Sequence, residues 1–330
     1  MVAMGEVALV LRSPLAGDIR GLVATKRAMG LGYESAELAF ARIDAWLVGL
    51  GHPSRSLPRE VVEDWCRRRP HESERTHHHR VSEMRVLCRH LSDVGVEAWI
   101  PPKGLVRKGP RYDPHIYTDD ELARFFAAVD ASRPVPGEGP WRDRVAPVFW
   151  RVLYSTGMRL SEARLRRVGD LDERAGTLVV TGAKGRKDRL VPLHADLVPA
   201  CAGLGAITGE GADGYLFPVR PGTPMTLQNA YRNFRRYLER AGIPHTGRGP
   251  RIHDLRHTFC VRLLLRWVEE GKDPLAWLPY MRTALGHESF EETAYYLRLT
   301  AEAHPAIKAA LDASYPEIVE EVDDDGREFH

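Results

Sequence analysis

The sequence predicts a mainly α-helical chain with one small β-hairpin or sheet, divided into two domains. Three observations carry this reading. At 330 residues the chain is longer than a typical single domain. Apolar residues recur at helical spacing over most of its length. Between Pro101 and Pro114 the run PPKGLVRKGPRYDP breaks that periodicity with prolines, glycines and basic residues, and reads as an extended linker.

Residues 1–100 are expected to form an N-terminal helical domain. Its first helix falls within residues 15–30, weakened by Gly17 and Gly21. In the second, Phe40, Ile43, Leu47 and Leu50 make one apolar stripe. Pro58 opens a short third helix in PREVVEDWCRRR, where a missing N–H costs nothing. Val81, Met84, Leu87 and Leu91 mark a fourth. The linker spans 101–116, and a second domain is expected over 117–314. It begins with the capping box Thr118-Asp-Asp-Glu121 ahead of Leu122 and Phe125. A helix from Trp141 to Tyr154 ends near Gly157. Two valine-rich runs, Thr177–Thr181 and Arg189–Leu193, flank GAKGRKD and form a hairpin. Helices resume over Thr226–Arg240, His253–Glu270, Pro274–Leu285 and Glu291–Thr300.

The overall charge of +2 hides a division. From Tyr315 to His330 seven acidic residues face Arg327, a net of −6, so everything before this acidic tail carries +8. A modestly basic body suits phosphate binding. Cys66, Cys88, Cys201 and Cys260 are far apart with no CxxC pair, which fits buried thiols rather than a disulfide framework or zinc knuckle. No apolar run approaches the roughly 20 residues that cross a bilayer, and the N-terminus lacks a basic start before a long apolar stretch. A cytoplasmic protein without a membrane partner is the expectation.

Arg159, Lys184, His253, Arg256, His287 and Tyr296 follow one another at a spacing that suits metal-free cutting of a phosphodiester. Such chemistry needs charge on the non-bridging oxygens neutralised, a deprotonated nucleophile, and a proton for the leaving oxygen. Arg159 and Arg256 are the clamps, because a planar guanidinium holds two phosphate oxygens and stays charged. His253 and Arg256, three residues apart, share a helical face. Imidazoles titrate where a proton can be moved at neutral pH. The phenol, with an unperturbed pKa of about 10, needs a base or positive field. Composition alone does not separate Tyr296 from Tyr295, nor Lys184 from Lys187.

These residues lie in four strings: TGMRLSEARL from Thr156, TGAKGRKDRLVPL from Thr181, HDLRHTF from His253 and LGHESFEETAYYL from Leu285. Together, over roughly residues 117–300, they resemble the tyrosine recombinase (phage integrase) family. The resemblance implies a site-specific DNA recombinase that cleaves and rejoins strands through a 3′-phosphotyrosine, in the integration or transposition of a mobile element. It selects Tyr296, nine residues after His287, as nucleophile, and Lys184 as the acid that protonates the departing 5′ oxygen. It makes His253 the proton acceptor, His287 a hydrogen-bond donor to a non-bridging oxygen, and Glu162 the residue that orients Arg159. His257 is left as a packing or supporting residue. The implied fold is a two-domain C-shaped clamp: an N-terminal helical core-binding domain and an α-rich integrase-type catalytic domain on opposite sides of double-stranded DNA. Four protomers act on two sites, and a C-terminal segment, here HPAIKAALDAS, passes to a neighbour.

Phosphate contacts are expected from Lys103, Arg107, Lys108 and Arg111 in the linker. Arg232, Arg235 and Arg236, with Arg240, extend them on a helix whose Tyr231, Phe234 and Leu238 face the core. No metal or other cofactor is expected. HExxH and GxxxxGK[ST] are absent, and His77-His78-His79 reads as a solvated helix-start cluster. Two alternatives remain: a type IB topoisomerase, which uses closely similar chemistry on one strand, and a non-catalytic DNA-binding accessory protein that keeps the scaffold without chemistry.

Overall fold

A computed structural model of the chain describes residues 10–300 other than 31–32, 110–111, 135–138, 182–187, 247–248, 287–292, 294 and 298. The backbone divides into two units, Met1–Tyr112 and Asp113–His330.

The first unit packs four helices: α1 (Ala16–Ala28), α2 (Glu34–Gly49), α3 (Arg59–Cys66) and α4 (Glu74–Asp93). In α1 the burial of Ile19, Leu22 and Val23 outweighs the roughly 1 kcal/mol that each interior glycine costs. Phe40, Ile43 and Leu47 of α2 are buried as the periodicity requires, whereas Leu50 is 52% exposed because α2 ends at Gly49. Val81, Met84, Leu87 and Leu91 of α4 close the core, with Trp65 of α3 packed at 5.0 Å on Trp46. Buried Asp44 reaches from α2 to the segment before α1, accepting the N–H groups of Arg12 (2.8 Å) and Ser13 (2.9 Å) and the Ser13 hydroxyl.

Arg80 ties the α3–α4 connection. It donates to the Glu72 carboxylate (2.8 Å) and to the carbonyls of Trp65 and Arg67, and its bonds to the carboxylate hold the Glu72 carboxyl down at about 2. His77 departs from the expected solvated cluster. It is buried, its Nε2 2.6 Å from the Cys66 carbonyl, because its position on α4 faces the end of α3. The segment expected as a linker begins docked on this unit, with buried Arg85 donating to the carbonyls of Pro101 (2.8 Å) and Pro102 (3.1 Å).

The second unit is mainly helical with small antiparallel sheets. After α5 (Asp119–Asp130), whose Thr118/Glu121 capping box forms, come α6 (Arg142–Thr156) and the one-turn α7 (Leu160–Ala163). A three-stranded sheet follows in the order β1 (Leu171–Asp172), β2 (Thr177–Val180), β3 (Arg189–Pro192), with Leu178 opposite Val191 and Val180 opposite Arg189. Next are α8 (Leu197–Thr208), the two-stranded β4 (Pro218–Arg220) and β5 (Thr223–Pro224), α9 (Leu227–Arg240), α10 (Ile252–Glu269) and α11 (Pro274–Leu285). Of the helix expected over Glu291–Thr300, residues 293, 295–297, 299 and 300 are described and helical.

Aromatic side chains fill the centre of this unit. Phe125 of α5 lies 5.9 Å from Trp150 of α6 and 5.7 and 6.1 Å from Phe234 and Tyr237 of α9. Ring contacts of this kind add to burial and fix rotamers. All four cysteines are buried thiols. Among the described residues, no helix is long and apolar enough to cross a membrane.

Asp44→Ala strands three donors, two of them on buried Ser13. Urea denaturation is expected to show a loss of about 2–3 kcal/mol in the stability of the first unit.

Candidate active site

The site is built at two helix ends. Helix α6 stops at Gly157, left-handed at φ 62°, and α11 is followed by Gly286 at φ 64°, the conformation in which glycine ends a helix. Neither position has room for a side chain. A Cβ at Gly157 would lie 2.7 Å from Phe259 and 2.9 Å from Leu285, and one at Gly286 would lie 2.8 Å from the Arg189 guanidinium. Buried Arg256, on α10, joins the two ends by donating to the carbonyls of Gly157 (2.7 Å) and Leu285 (3.0 Å).

Arg159 follows the Gly157 turn in extended conformation, just before α7. Its guanidinium donates to Glu162 (3.2 Å) and to the Gly286 carbonyl (3.1 Å), and its own N–H reaches the same carboxylate at 2.9 Å. Glu162 is 7% exposed. Its second cationic partner is Arg189 of β3, which grips it at 3.2 and 2.7 Å and also donates to the Ala284 carbonyl at 2.9 Å. Burial raises the Glu162 carboxyl, but the Arg189 hydrogen bonds, the Arg159 N–H and the two positive charges prevail and hold it below the usual carboxylate range. Carbonyls 284, 285 and 286 thus each receive one guanidinium, from Arg189, Arg256 and Arg159.

Arg189 is the member that sequence reasoning missed. In RLVP the residues facing inward on β3 are Arg189 and Val191, while Leu190 is 63% exposed. The signal available was the strand register, since a position opposite buried Val180 belongs to the inner face.

His253 stands in the first turn of α10 with an open face to solvent. Crowding by surrounding atoms, then the charges of Arg256 and Arg159, push its imidazole down to about 4. Solvent reaching the open face limits that depression, yet the ring is neutral at physiological pH. Its edge meets His257 at 4.7 Å between centroids, and His257 in turn lies 5.5 Å from Tyr296 and 6.1 Å from Tyr295. Tyr296 is 3% exposed. The Arg256 guanidinium and the Cys260 thiol both lie beside its hydroxyl. Burial and Cys260 push the phenol far above its ordinary range, more than the Arg256 charge brings it down. Tyr295, half-buried, packs on Tyr296 at 5.8 Å.

Of the six expected chemical residues, Arg159, His253, Arg256 and Tyr296 converge around α10 and the end of α11. Lys184 and His287 lie outside the described residues, as does Arg111 of the linker. Lys103, Arg107 and Lys108 are exposed on the first unit. On α9, Arg232 and Arg235 are exposed and Arg236 is half-buried, and all three line a shallow groove with Gln228, Tyr231 and Glu239. The buried face of that helix is Ala230, Asn233, Phe234, Tyr237 and Leu238. Tyr231, expected inside, is 49% exposed, because one residue beyond Ala230 is rotated by about 100° around the helix. Among the described residues, no group of three His, Cys, Asp or Glu side chains is arranged to hold a metal.

Residues 116–303, more than half of the chain, match the phage integrase family. The chain belongs to the phage integrase family. It is thereby a tyrosine recombinase, an enzyme class that performs site-specific recombination of DNA through a phosphotyrosine. Among its relatives, a Sinorhizobium fredii protein named as an integrase/recombinase, y4rB, is 29% identical over 280 residues, which is 81% of this chain and 88% of y4rB. The tyrosine recombinase XerC of Xanthomonas axonopodis pv. citri is 30% identical over 211 residues, 63% of this chain and 61% of XerC. In fold the recombinase is similar to the XerH site-specific recombinase bound to a palindromic difH substrate. That similarity has a TM-score of 0.62 at 19% identity, covering 86% of this chain and 80% of that one.

The His253 environment has a direct spectroscopic consequence. Its imidazole nitrogens, followed by NMR, are expected to stay neutral from pH 8 down to about pH 5. Titration near an ordinary histidine pKa would contradict the crowding described.

Proposed function

We propose that this recombinase cleaves each strand of its double-stranded DNA site by attack of the Tyr296 oxygen on the scissile phosphorus. The bond to the 5′ oxygen breaks and a 3′-phosphotyrosine forms; a 5′ hydroxyl of the same or another strand then reverses the attack. Arg159 and Arg256 bind the non-bridging oxygens, and Glu162 orients Arg159. His253, neutral at the working pH, takes the phenolic proton. Lys184 delivers a proton to the leaving oxygen, and His287 donates a hydrogen bond to the phosphate. No metal or other cofactor enters this scheme, because the ester linkage to tyrosine conserves the energy of the broken bond.

The observation that carries the reading is the Tyr296 hydroxyl resting on Arg256, whose guanidinium shares the α11 end with that of Arg159. A phenol beside a buried guanidinium is already within reach of the group that would hold its electrophile. The half-buried Tyr295 beside His257 offers the alternative nucleophile, and the Arg256 contact favours Tyr296 over it.

Around this centre we place the DNA in a C-shaped clamp. Residues 1–100 form a core-binding domain on one side of the duplex and residues 117–314 the catalytic domain on the other. Residues 101–116 run between them, and the acidic tail 315–330 lies beyond. Lys103, Arg107, Lys108 and Arg111 together with Arg232, Arg235 and Arg236 contact phosphates. Two strand exchanges call for four protomers on two sites, with HPAIKAALDAS passed to a neighbour. Integration or transposition of a mobile element is the biological setting this class of enzyme fits.

Incubation with a nicked suicide duplex, analysed on a denaturing gel, is expected to yield a covalent adduct with the wild type and with Tyr295→Phe but none with Tyr296→Phe. The reverse pattern would reassign the nucleophile. Tight binding without any adduct would favour an accessory protein, and plasmid relaxation without site preference a topoisomerase.

The α9 arginines give a second test. Replacing Arg232 or Arg235 by alanine is expected to flatten the dependence of log binding constant on log salt by about one unit of slope for each phosphate no longer neutralised. An unchanged slope would remove α9 from the DNA interface.

A further inference from the structure

We infer that Arg189 is a positioning residue for the cleavage step, acting by neutralising Glu162 so that the Arg159 guanidinium remains available to phosphate. The inference rests on the reading of Arg159 as a phosphate clamp. Three features of the site lead to it.

First, Glu162 is a buried carboxylate that takes guanidinium donors from both Arg159 and Arg189, and the Arg189 contacts include the shorter, at 2.7 against 3.2 Å. A buried anion must be balanced by nearby positive charge. With Arg189 in place, Nη1 of Arg159 is shared between Glu162 and the Gly286 carbonyl. Without it, Arg159 becomes the side chain left to compensate Glu162, and a closed two-pronged pair is the geometry a guanidinium and carboxylate adopt. That pairing would turn Arg159 away from a phosphate.

Second, Arg189 holds the backbone leading to His287. Its Nε donates to the Ala284 carbonyl, and the left-handed turn at Gly286 leaves no space between the backbone and the guanidinium. Third, strand chemistry argues against a purely structural origin. An arginine on the inner face of a short strand, with a leucine of the same strand turned to solvent, is the opposite of what burial alone selects.

If Arg189 acts through the charge of Glu162, then removing that charge must relieve the loss of Arg189. The DNA probe is a nicked duplex first recovered, covalently attached, when wild-type protein is incubated with a randomised duplex library. Failure of the wild type to trap any duplex would defeat the proposed function itself, before Arg189 is tested. With the probe in hand, the rate of adduct formation in a single turnover at saturating DNA is measured beside the Kd for the same DNA and the thermal midpoint of each variant.

Arg189→Met is expected to slow adduct formation by about 100-fold while changing Kd by no more than about threefold, the signature of an interaction used in the transition state. Adding Glu162→Gln to Arg189→Met should raise the rate by about tenfold over the single variant, a coupling that independent sites do not show. Arg189→Lys, which keeps the charge but loses the fork, should fall between wild type and Arg189→Met. Wild-type rates in Arg189→Met would overturn the inference. So would a double variant no faster than Arg189→Met, with rates that follow the thermal midpoints, since that is a structural role alone. Should Arg189→Met fail to fold, the comparison is made between Arg189→Lys with and without Glu162→Gln. Recovery of rate in that pair supports the inference and its absence overturns it.

Discussion

The Glu162 carboxylate, enclosed between two arginines from separate elements, is the contact on which the geometry of the catalytic unit depends. Taking an anion out of water costs several kcal/mol and is recovered only where partners are fixed in number and direction. Glu162 accepts from the Arg159 backbone, the Arg159 side chain and both terminal nitrogens of Arg189. Those bonds tie the one-turn α7 to β3. A four-residue helix has no stability in isolation, so α7 persists because its third residue is bound in this way.

From that carboxylate the constraint passes to α11. The end of a helix carries carbonyls without intrahelical partners and a partial negative charge. Three consecutive carbonyls here are each met by a different guanidinium. The arrangement serves the helix, and it also concentrates three permanent positive charges at one place before any substrate arrives. Catalysis of phosphoryl transfer draws most on charge already in position, since donors that need no reorientation lose nothing when negative charge develops. The two left-handed glycines belong to the same economy of space: side chains at Gly157 or Gly286 would drive Phe259, Leu285 or Arg189 out of place.

Much of this was legible in the sequence, and what was not has physical causes. Helices α2, α4, α5, α9 and α10 follow from apolar spacing and capping, and the β2–β3 hairpin from β-branched runs around a glycine turn. Helix α8 gave no signal, because Pro199, Gly203 and Gly205 mask its periodicity while the burial of Cys201, Leu204 and Thr208 sustains it. The strands β1, β4 and β5 are two or three residues long, too short for alternation to show. Arg159, Arg256, His253 and Tyr296 stood out through their motifs. Arg189, inside the same string as Lys184, did not, since its importance lies in the inner face of a strand and a partner 27 residues away. Local pattern reports which residue types are present, whereas a buried ion network is a property of register.

The two titrating groups beside Arg256 are displaced in opposite directions, the phenol upward and the imidazole downward. In the free chain the proton therefore belongs on Tyr296, and a phenol so held is inert toward stray electrophiles. On the proposed chemistry, a phosphate seated between Arg159 and Arg256 offsets the two charges that add to the crowding of His253, so that part of its depression is lifted only when substrate is bound. Drawing Tyr296 out of its buried position toward the phosphorus removes the burial that raises it most. Each displacement thus loses one of its causes on the same event, which brings the phenol and its acceptor toward proton transfer when DNA is bound.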